Sequence, residues 1–210
     1  MDLLLDPAEV RVLGALLEKE ITTPEYYPLT LNALVNACNQ RTSRDPVTSY
    51  DGDTVLAALE SLRAKKLSML IIPAGGRVNK HAHRISETLN PGRRELAVLC
   101  TLMLRGQQTS GEIHVRSGRM HQFSGLDEVE AVLERLMAFD PPLAVRLPKQ
   151  PGTKEPRYAH LLSGPLAVCA PEIETEAPRR EDRLSALEAE VARLREEVED
   201  LKRRLTGPSE

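Results

Sequence analysis

The sequence has few aromatic residues and no tryptophan. Aromatics make up 3% of its 210 residues, so any hydrophobic core must be built from Leu, Val, Ala and Met. No apolar run approaches the roughly 18 residues that suggest a membrane-spanning helix. The N-terminus also lacks the basic and apolar regions of a signal peptide. We therefore expect a cytoplasmic protein with no membrane partner.

Cysteines and catalytic motifs are also scarce. The three cysteines, Cys38, Cys100 and Cys169, are scattered and form no C-x-x-C pair. The first two fall on apolar helix faces, where small buried thiols are expected. The sequence contains no G-x-S-x-G, P-loop or H-E-x-x-H motif. These absences predict a protein that is not an enzyme and that has no cofactor and no metal.

Positive charge is not in excess over the whole chain. The formal net charge is −3, which is not that of a general nucleic-acid binder. The acidity is concentrated after residue 170, where 12 acidic and 8 basic residues leave 19 acidic and 20 basic residues in the rest of the chain. Any basic surface must therefore come from local clusters.

What the chain does contain is an internal repeat. Residues 11–17 match residues 97–103, and residues 53–62 match residues 127–136 with six identities in ten positions. The first match has an offset of 86 and the second an offset of 74, so the first copy carries about twelve extra residues between the matched segments. Such a repeat predicts two domains with one common scaffold.

The extra residues fall in the stretch 22–50. What one copy adds to a shared scaffold is a natural place for function, because loops on rigid scaffolds often carry binding residues. The alternative is a surface insertion that the fold tolerates, since the entropy of closing a loop grows only slowly with its length. The sequence leaves both interpretations open.

Two strings in this stretch carry a family resemblance: YPLTLNAL at residues 27–34 and CNQRTSRDPV at residues 38–47. With them, the chain from about residue 3 to about residue 164 resembles the YceH family of bacterial proteins. The resemblance implies two winged-helix domains in tandem, and it implies no particular activity.

The pattern along the chain predicts a mainly α protein with small β wings (α+β): two tandem winged-helix domains plus a C-terminal coiled-coil helix. Caps and apolar stripes predict three helices in each copy, at residues 7–20, 31–38 and 51–66 and at residues 93–105, 110–117 and 126–139. Two short strands follow each third helix. The predicted boundaries are 1–89 for the first domain with an extended loop at 39–50, 90–164 for the second domain, 165–180 for a Pro/Glu linker and 181–206 for the terminal helix.

The terminal helix has a heptad repeat. Apolar residues occupy its a and d positions, and facing e and g residues are opposite in charge in a parallel pair. We expect a homodimer formed by Leu184, Leu187, Val191, Leu194, Val198, Leu201 and Leu205. The alternative is a single amphipathic helix that folds back onto its own chain.

The loop and the wing of the first copy contain basic and amide residues. We assign seven of them as candidate nucleic-acid-binding residues: Asn39, Gln40, Arg41, Arg44, Lys80, His81 and Arg84. Arg and Lys contact phosphate, and Asn and Gln can pair with adenine edges. His81 and His83 lie two residues apart and could hold a metal, but a basic wing is favoured because no further ligands have suitable spacing. The leading prediction is a dimeric DNA-binding protein, with transcriptional regulation as its role.

The third helices favour a different function. Their solvent faces carry carboxylates, including Asp53 and Glu60 in the first copy and Asp127, Glu130 and Glu134 in the second. Carboxylates repel phosphate and therefore weaken DNA binding. The alternative function is a protein–protein adaptor that uses the winged-helix surfaces without nucleic acid.

The heptad repeat predicts that the oligomeric state depends on the tail. The full chain should be a dimer and a chain ending at Pro178 should be a monomer, because the apolar seam begins at Leu184. Light scattering after size exclusion measures both masses. A full-length monomer at tens of micromolar, roughly where short coils associate, would rule out the coiled coil.

Overall fold

The same order of elements occurs in both halves of the chain: three helices followed by an antiparallel pair of strands. A computed structural model describes residues 4–73, 78–149 and 155–164. These residues form seven α-helices and two small antiparallel sheets, so the fold is α+β. The predicted linker and heptad helix, Cys169, and the tips of both strand pairs at 74–77 and 150–154 lie outside the described residues.

The α-helices have five to sixteen residues and the strands two to four. The first half contains α1 (Pro7–Thr22), β1 (Leu29–Thr30), α2 (Leu31–Cys38), α3 (Gly52–Ala64), β2 (Ser68–Ile71), β3 (Lys80–His83) and α4 (Ile85–Leu89). The second half contains α5 (Arg93–Arg105), α6 (Ser110–Ser117), α7 (Leu126–Met137), β4 (Ala144–Arg146) and β5 (Tyr158–His160).

Capping residues mark the starts of α1 and α6 and the end of α5 at the predicted positions, whereas α1, α3 and α7 end two residues away from their predicted ends, at Thr22, Ala64 and Met137. The Asp6 carboxylate accepts a hydrogen bond from the backbone N–H of Glu9. The Glu9 carboxylate in turn accepts one from the backbone N–H of Asp6, so α1 begins with a capping box. Thr109 and Glu112 form the same arrangement at the start of α6. Gly106 ends α5 with a φ of 68°, a conformation that favours glycine. These three predictions are confirmed.

Three elements were not predicted, and the first is a 3-10 turn at Pro24–Tyr26. Strand β1 contains only two residues and pairs with β3, so the first sheet has the order β1-β3-β2 with Leu29 opposite His81 and Ser68 opposite His83. Helix α4 has five residues and ends at Asn90, which adopts the left-handed conformation. Elements this short contain too few residues to show a periodic pattern in the sequence. Their stability comes from the neighbours they contact.

The two halves meet where α1 crosses α5. Gly14 on α1 and Cys100 on α5 occupy equivalent positions of the repeat, and the Cys100 thiol donates a hydrogen bond to the Gly14 carbonyl at 3.4 Å. A Cβ atom on Gly14 would lie 2.9 Å from Cδ2 of Leu104, so Leu104 packs into space that another side chain at this position would occupy. The crossing buries both helices within one continuous hydrophobic cluster. The domain boundaries 1–89 and 90–164 stay predictions.

Cys38 and Cys100 are buried free thiols, as predicted. Burial raises the pKa of Cys38 to about 12 and also raises the pKa of Cys100. Both side chains therefore remain protonated at neutral pH and contribute to the core as small apolar groups.

Leu59 and Leu133 occupy equivalent buried positions on α3 and α7, as the repeat predicted. Leu59→Ala should lower the free energy of unfolding by about 2–5 kcal/mol, because it leaves a cavity. Leu56→Ala on the same helix is the matched control, since Leu56 is 38% exposed and Leu59 only 3%. Urea denaturation measures both, and equal losses in the two variants would contradict the helix orientation.

Candidate functional site

The seven candidate nucleic-acid-binding residues do not form one surface. Arg41 and Arg84 are exposed, Asn39, Gln40 and Lys80 are half-buried, and Arg44 and His81 are buried. Arg84 directly precedes α4, and its guanidinium pairs with Glu87 on that helix. The loop and the strand therefore place their candidate residues in different surroundings.

Arg44 lies inside the protein and not at its surface, which corrects the sequence analysis. Its guanidinium donates to the Glu18 carboxylate at 2.7 Å and to the Ala37 carbonyl at 2.8 and 3.1 Å. A further bond reaches the carbonyl of Ser43 at 2.9 Å. All of its donor nitrogens thus have protein acceptors, and none faces solvent where a phosphate could bind. Arg44 instead holds the loop against α1 and the end of α2.

The rest of the loop is tied down in the same way. Arg11 on α1 is buried and donates to the carbonyls of Cys38 at 3.3 Å and Pro46 at 2.6 Å. Burial, and then the charge of Arg44, lowers the pKa of Arg11. Asn39 uses its amide to close the loop: it donates to the Tyr50 carbonyl at 2.7 Å and accepts from the Tyr50 N–H at 2.8 Å. Its amide is therefore already paired within the protein and is not presented to a base edge.

The loop also reaches the second half. The Asp45 N–H donates to the carbonyl of Leu104 at 2.9 Å, and the guanidinium of Arg105 donates to the Ser43 hydroxyl at 2.7 Å. The extra residues of the first copy therefore connect α1, α2 and the end of α5. They are not a free insertion, because these contacts clamp the loop between the two halves, while Arg41, Thr42 and residues 45–47 remain exposed.

Both histidines of β3 are buried among protein groups. Burial, and then the charge of Arg63, lowers the pKa of His81. The ring of His83 is buried, with Nε2 at 2.7 Å from the Glu20 carboxylate, and its backbone N–H donates to the Tyr27 hydroxyl at 2.7 Å. Within the part of the chain that the structure describes, no group of three or more His, Cys, Asp or Glu side chains could hold a metal ion.

A groove that was not predicted from the sequence lies between α3 and the β2–β3 pair of the first half. It has a volume of about 550 Å³. Three exposed apolar side chains line it, Leu56 at 38%, Met69 at 38% and Val78 at 56% exposure. The polar lining residues are Thr30, Asn32, Glu60, Arg63, Ser68, Asn79 and His81. The groove thus has apolar walls and a polar rim that holds one guanidinium and one carboxylate.

One signal in the repeat could have revealed this groove. Leu56 lies outside the buried stripe of Val55, Leu59 and Leu62, and its equivalent in the second copy is Glu130. Glu130 is exposed on α7, so the scaffold does not need an apolar residue at this position. Leu56 lies beside the exposed Met69 and Val78 in the same groove, and exposed apolar patches of this kind are typical of contact surfaces.

A family model described as a protein of unknown function, DUF480, matches residues 5–153, which is more than half of the chain. The chain belongs to the DUF480 family. This confirms the predicted membership of a bacterial family, and the name YceH stays a resemblance.

The relatives of this DUF480 chain extend over most of its length. It is 53% identical to a UPF0502 protein of Opitutus terrae over 192 residues, covering 91% of this chain and 83% of the relative. It is 51% identical to a UPF0502 protein of Pelobacter propionicus over 210 residues, covering 97% and 95%. A UPF0502 protein of Geotalea daltonii is 56% identical over 164 residues, covering 78% and 75%. In the described residues, no helix has the length and apolarity needed to cross a membrane.

The clamp predicts a large difference between two neighbouring arginines. Arg44→Ala should lower the free energy of unfolding by about 3–5 kcal/mol, because it leaves the buried Glu18 carboxylate without its closest partner. Arg41→Ala, in the same loop but exposed, should change stability by less than about 0.5 kcal/mol. Urea denaturation of the two variants provides the comparison.

A stability of Arg44→Ala equal to that of Arg41→Ala would contradict the clamp. Arg44→Lys is the second control, because it keeps the charge but loses the fork of donors. It should fall between the wild type and Arg44→Ala.

Proposed function

We propose that this chain is a non-enzymatic protein adaptor built on two winged-helix domains, and that it binds an amphipathic segment of a partner protein in the groove of its first half. The observation that supports this proposal is the exposed apolar lining of that groove, formed by Leu56, Met69 and Val78. The repeated order of three helices and two strands supports the winged-helix assignment.

The dimensions of the groove suit a peptide segment. Its volume of about 550 Å³ lies within the range of roughly 300–1,000 Å³ found for small-molecule clefts, which is room for a few side chains of a partner segment. Complete burial of an apolar side chain contributes about 1.5–3 kcal/mol, so three partly exposed side chains can supply a substantial part of the roughly 8 kcal/mol of a micromolar complex. Helical segments commonly bind in this way, with apolar anchors spaced along one face.

The rim specifies the chemistry of the partner. Arg63 is exposed at the edge of the groove and offers a fork of donors, which favours a carboxylate beside the apolar anchors. Glu60 lines the same groove and favours a donor group nearby. The occupant we propose is therefore an amphipathic helix that carries an acidic residue next to its apolar face.

The exposed faces of α3 and α7 are poorly suited to binding phosphate. On α3 the exposed residues include Asp53 and Glu60, and on α7 they include Asp127, Glu130 and Glu134. Carboxylates at these positions repel a DNA backbone. Arg44, which the sequence analysis placed among the DNA contacts, is occupied inside the clamp.

Dimerisation would strengthen a weak groove. We propose that the heptad residues between Leu184 and Leu205 pair two chains in the cytoplasm, which presents two grooves to a partner with two binding segments. Linking two sites raises the overall affinity without any new contact, because the second binding event becomes intramolecular.

Duplex DNA is the second candidate ligand, and a specific observation favours it. The amides of Asn32 and Asn79 line the groove together with Arg63, and amides of this kind pair with adenine edges while arginine contacts guanine or phosphate. Lys80 lies on the adjoining strand, and Arg41 is exposed on the loop. In this function the groove edge of the first half would face DNA.

The adaptor proposal predicts the effect of Leu56→Glu. This change introduces the residue type that the second half carries at Glu130, so stability should change by no more than about 0.5 kcal/mol. A photo-reactive residue placed at Val78 should cross-link to a discrete partner protein in the cell. A synthetic helix from the cross-linked segment should then bind Leu56→Glu at least about tenfold more weakly than the wild type.

Leu126→Glu is the matched control, because Leu126 is an exposed leucine at the start of α7, outside the groove. Equal binding by the wild type and Leu56→Glu would contradict the proposal.

Anisotropy titrations with generic duplex DNA at two salt concentrations test the second candidate. Salt-dependent binding that Leu56→Glu retains and that Arg63→Ala and Lys80→Ala lose would replace the adaptor by a DNA-binding protein.

A further inference from the structure

Three arginines of the second half converge on the clamp. We call Arg105, Arg116 and Arg119 the arginine cluster; they come from the end of α5, from α6 and from the turn that follows α6. Arg105 donates to the Ser43 hydroxyl at 2.7 Å, and Arg119 reaches the same oxygen at 3.3 Å. Two guanidinium groups therefore share one neutral acceptor that belongs to the loop of the first half.

The carboxylates around the arginine cluster are already shared. Glu18 lies 2.7 Å from Arg44 and 3.4 Å from Arg119. Glu112 lies 3.3 Å from Arg116 and 3.3 Å from Arg157. Two carboxylates thus serve four arginines, and among the described residues no carboxylate pairs with Arg105. The site carries more positive charge than its own acids neutralise.

This excess charge has a physical cost for the free protein. Partial burial, followed by the charges of Arg116 and Arg119, lowers the pKa of Arg105. Like charges held close together in a partly dry environment repel each other more strongly than in water. A bound anion would relieve this repulsion.

The shape of the site limits what can bind. The arginine cluster surrounds a depression of about 10 Å³, lined also by Glu18, Ser43, Thr101, Leu104 and Met120. This volume holds about one water molecule. One oxygen of a ligand can therefore enter the depression, and the rest of the ligand must stay at its mouth, where Arg119 is 70% exposed.

We propose that the arginine cluster and Ser43 bind a dianionic phosphate group, either as free phosphate or as a small phosphate monoester. A tetrahedral oxyanion can place one oxygen between Arg105 and Arg119 and receive the Ser43 hydroxyl as a donor. Its remaining oxygens then face Arg116 and solvent. Arginine suits this role because its planar fork of donors matches two phosphate oxygens at once.

The ligand would connect the two halves. Ser43 belongs to the loop that only the first copy possesses, whereas the three arginines belong to the second half. Phosphate bound between them would stabilise the folded protein in proportion to its concentration and affinity. This site is separate from the groove, so it does not depend on the adaptor proposal.

Titration calorimetry and thermal unfolding of the full chain test the site, with inorganic phosphate and methyl phosphate as probes. We expect saturable binding with a dissociation constant below about 1 mM and a rise in melting temperature. Arg119→Ala should weaken binding at least tenfold and keep the fold, because its side chain is mostly exposed. Ser43→Ala, which removes the shared hydroxyl, should also weaken it.

Arg146→Ala is the control, since Arg146 is exposed on β4 and does not line the depression. Binding of phosphate but not methyl phosphate would identify free phosphate as the source, and tighter binding of methyl phosphate would identify a monoester. Equal effects of phosphate on the wild type and Arg119→Ala would overturn the proposal, as would the absence of saturation. Binding of duplex DNA that depends on Arg119, without binding of either probe, would also overturn it.

Discussion

The close crossing of α1 and α5 is the constraint on which the rest of the structure depends. The two helices are copies of one element, and they contact each other through equivalent positions, Gly14 and Cys100. A contact of this kind is self-complementary, as in a symmetric dimer, but here both partners lie in one chain. Because Gly14 has no Cβ, Leu104 can approach the α1 backbone. The arrangement buries α1 and α5 against each other and makes the two halves share one core.

The clamp explains where the two copies differ. Arg11 and Glu18 are buried charged residues on α1, and their equivalents on α5 are the apolar Ala97 and Leu104. Both charged residues contact the extra loop, Arg11 through the carbonyls of Cys38 and Pro46 and Glu18 through Arg44. A buried ion pair adds little net stability over an apolar pair, but it strongly disfavours arrangements that leave one charge without its partner. The extra residues and the two charges on α1 therefore form one device that fixes the position of the loop.

Local features of the sequence predicted the helices, and tertiary contacts decided the rest. Asp6, Thr109 and Gly106 mark helix ends because a cap is a contact within a few residues of the chain. Strand β1 was missed because two residues form a strand only when β3 lies beside them. Arg44 was misplaced because an arginine in a polar loop gives no sign of burial until its partner is known. The partner was visible in the repeat, since Glu18 stands where the other copy has leucine.

Comparison of the two copies also points to the two proposed binding sites, the groove and the arginine cluster. Both copies of a repeat keep the residues that the shared fold needs. An exposed position that is apolar in one copy and charged in the other is therefore not needed for folding, and it is a candidate binding position. Leu56 and Glu130 are such a pair, and the apolar member lies in the groove. Ser43 is a second case, because it has no counterpart in the second half and its hydroxyl accepts hydrogen bonds from Arg105 and Arg119 of that half. Each half thus supplies what the other lacks: the first provides the groove and the clamping loop, and the second provides the positive charge that faces the loop. The α1–α5 crossing is what holds these unlike surfaces in a fixed relation.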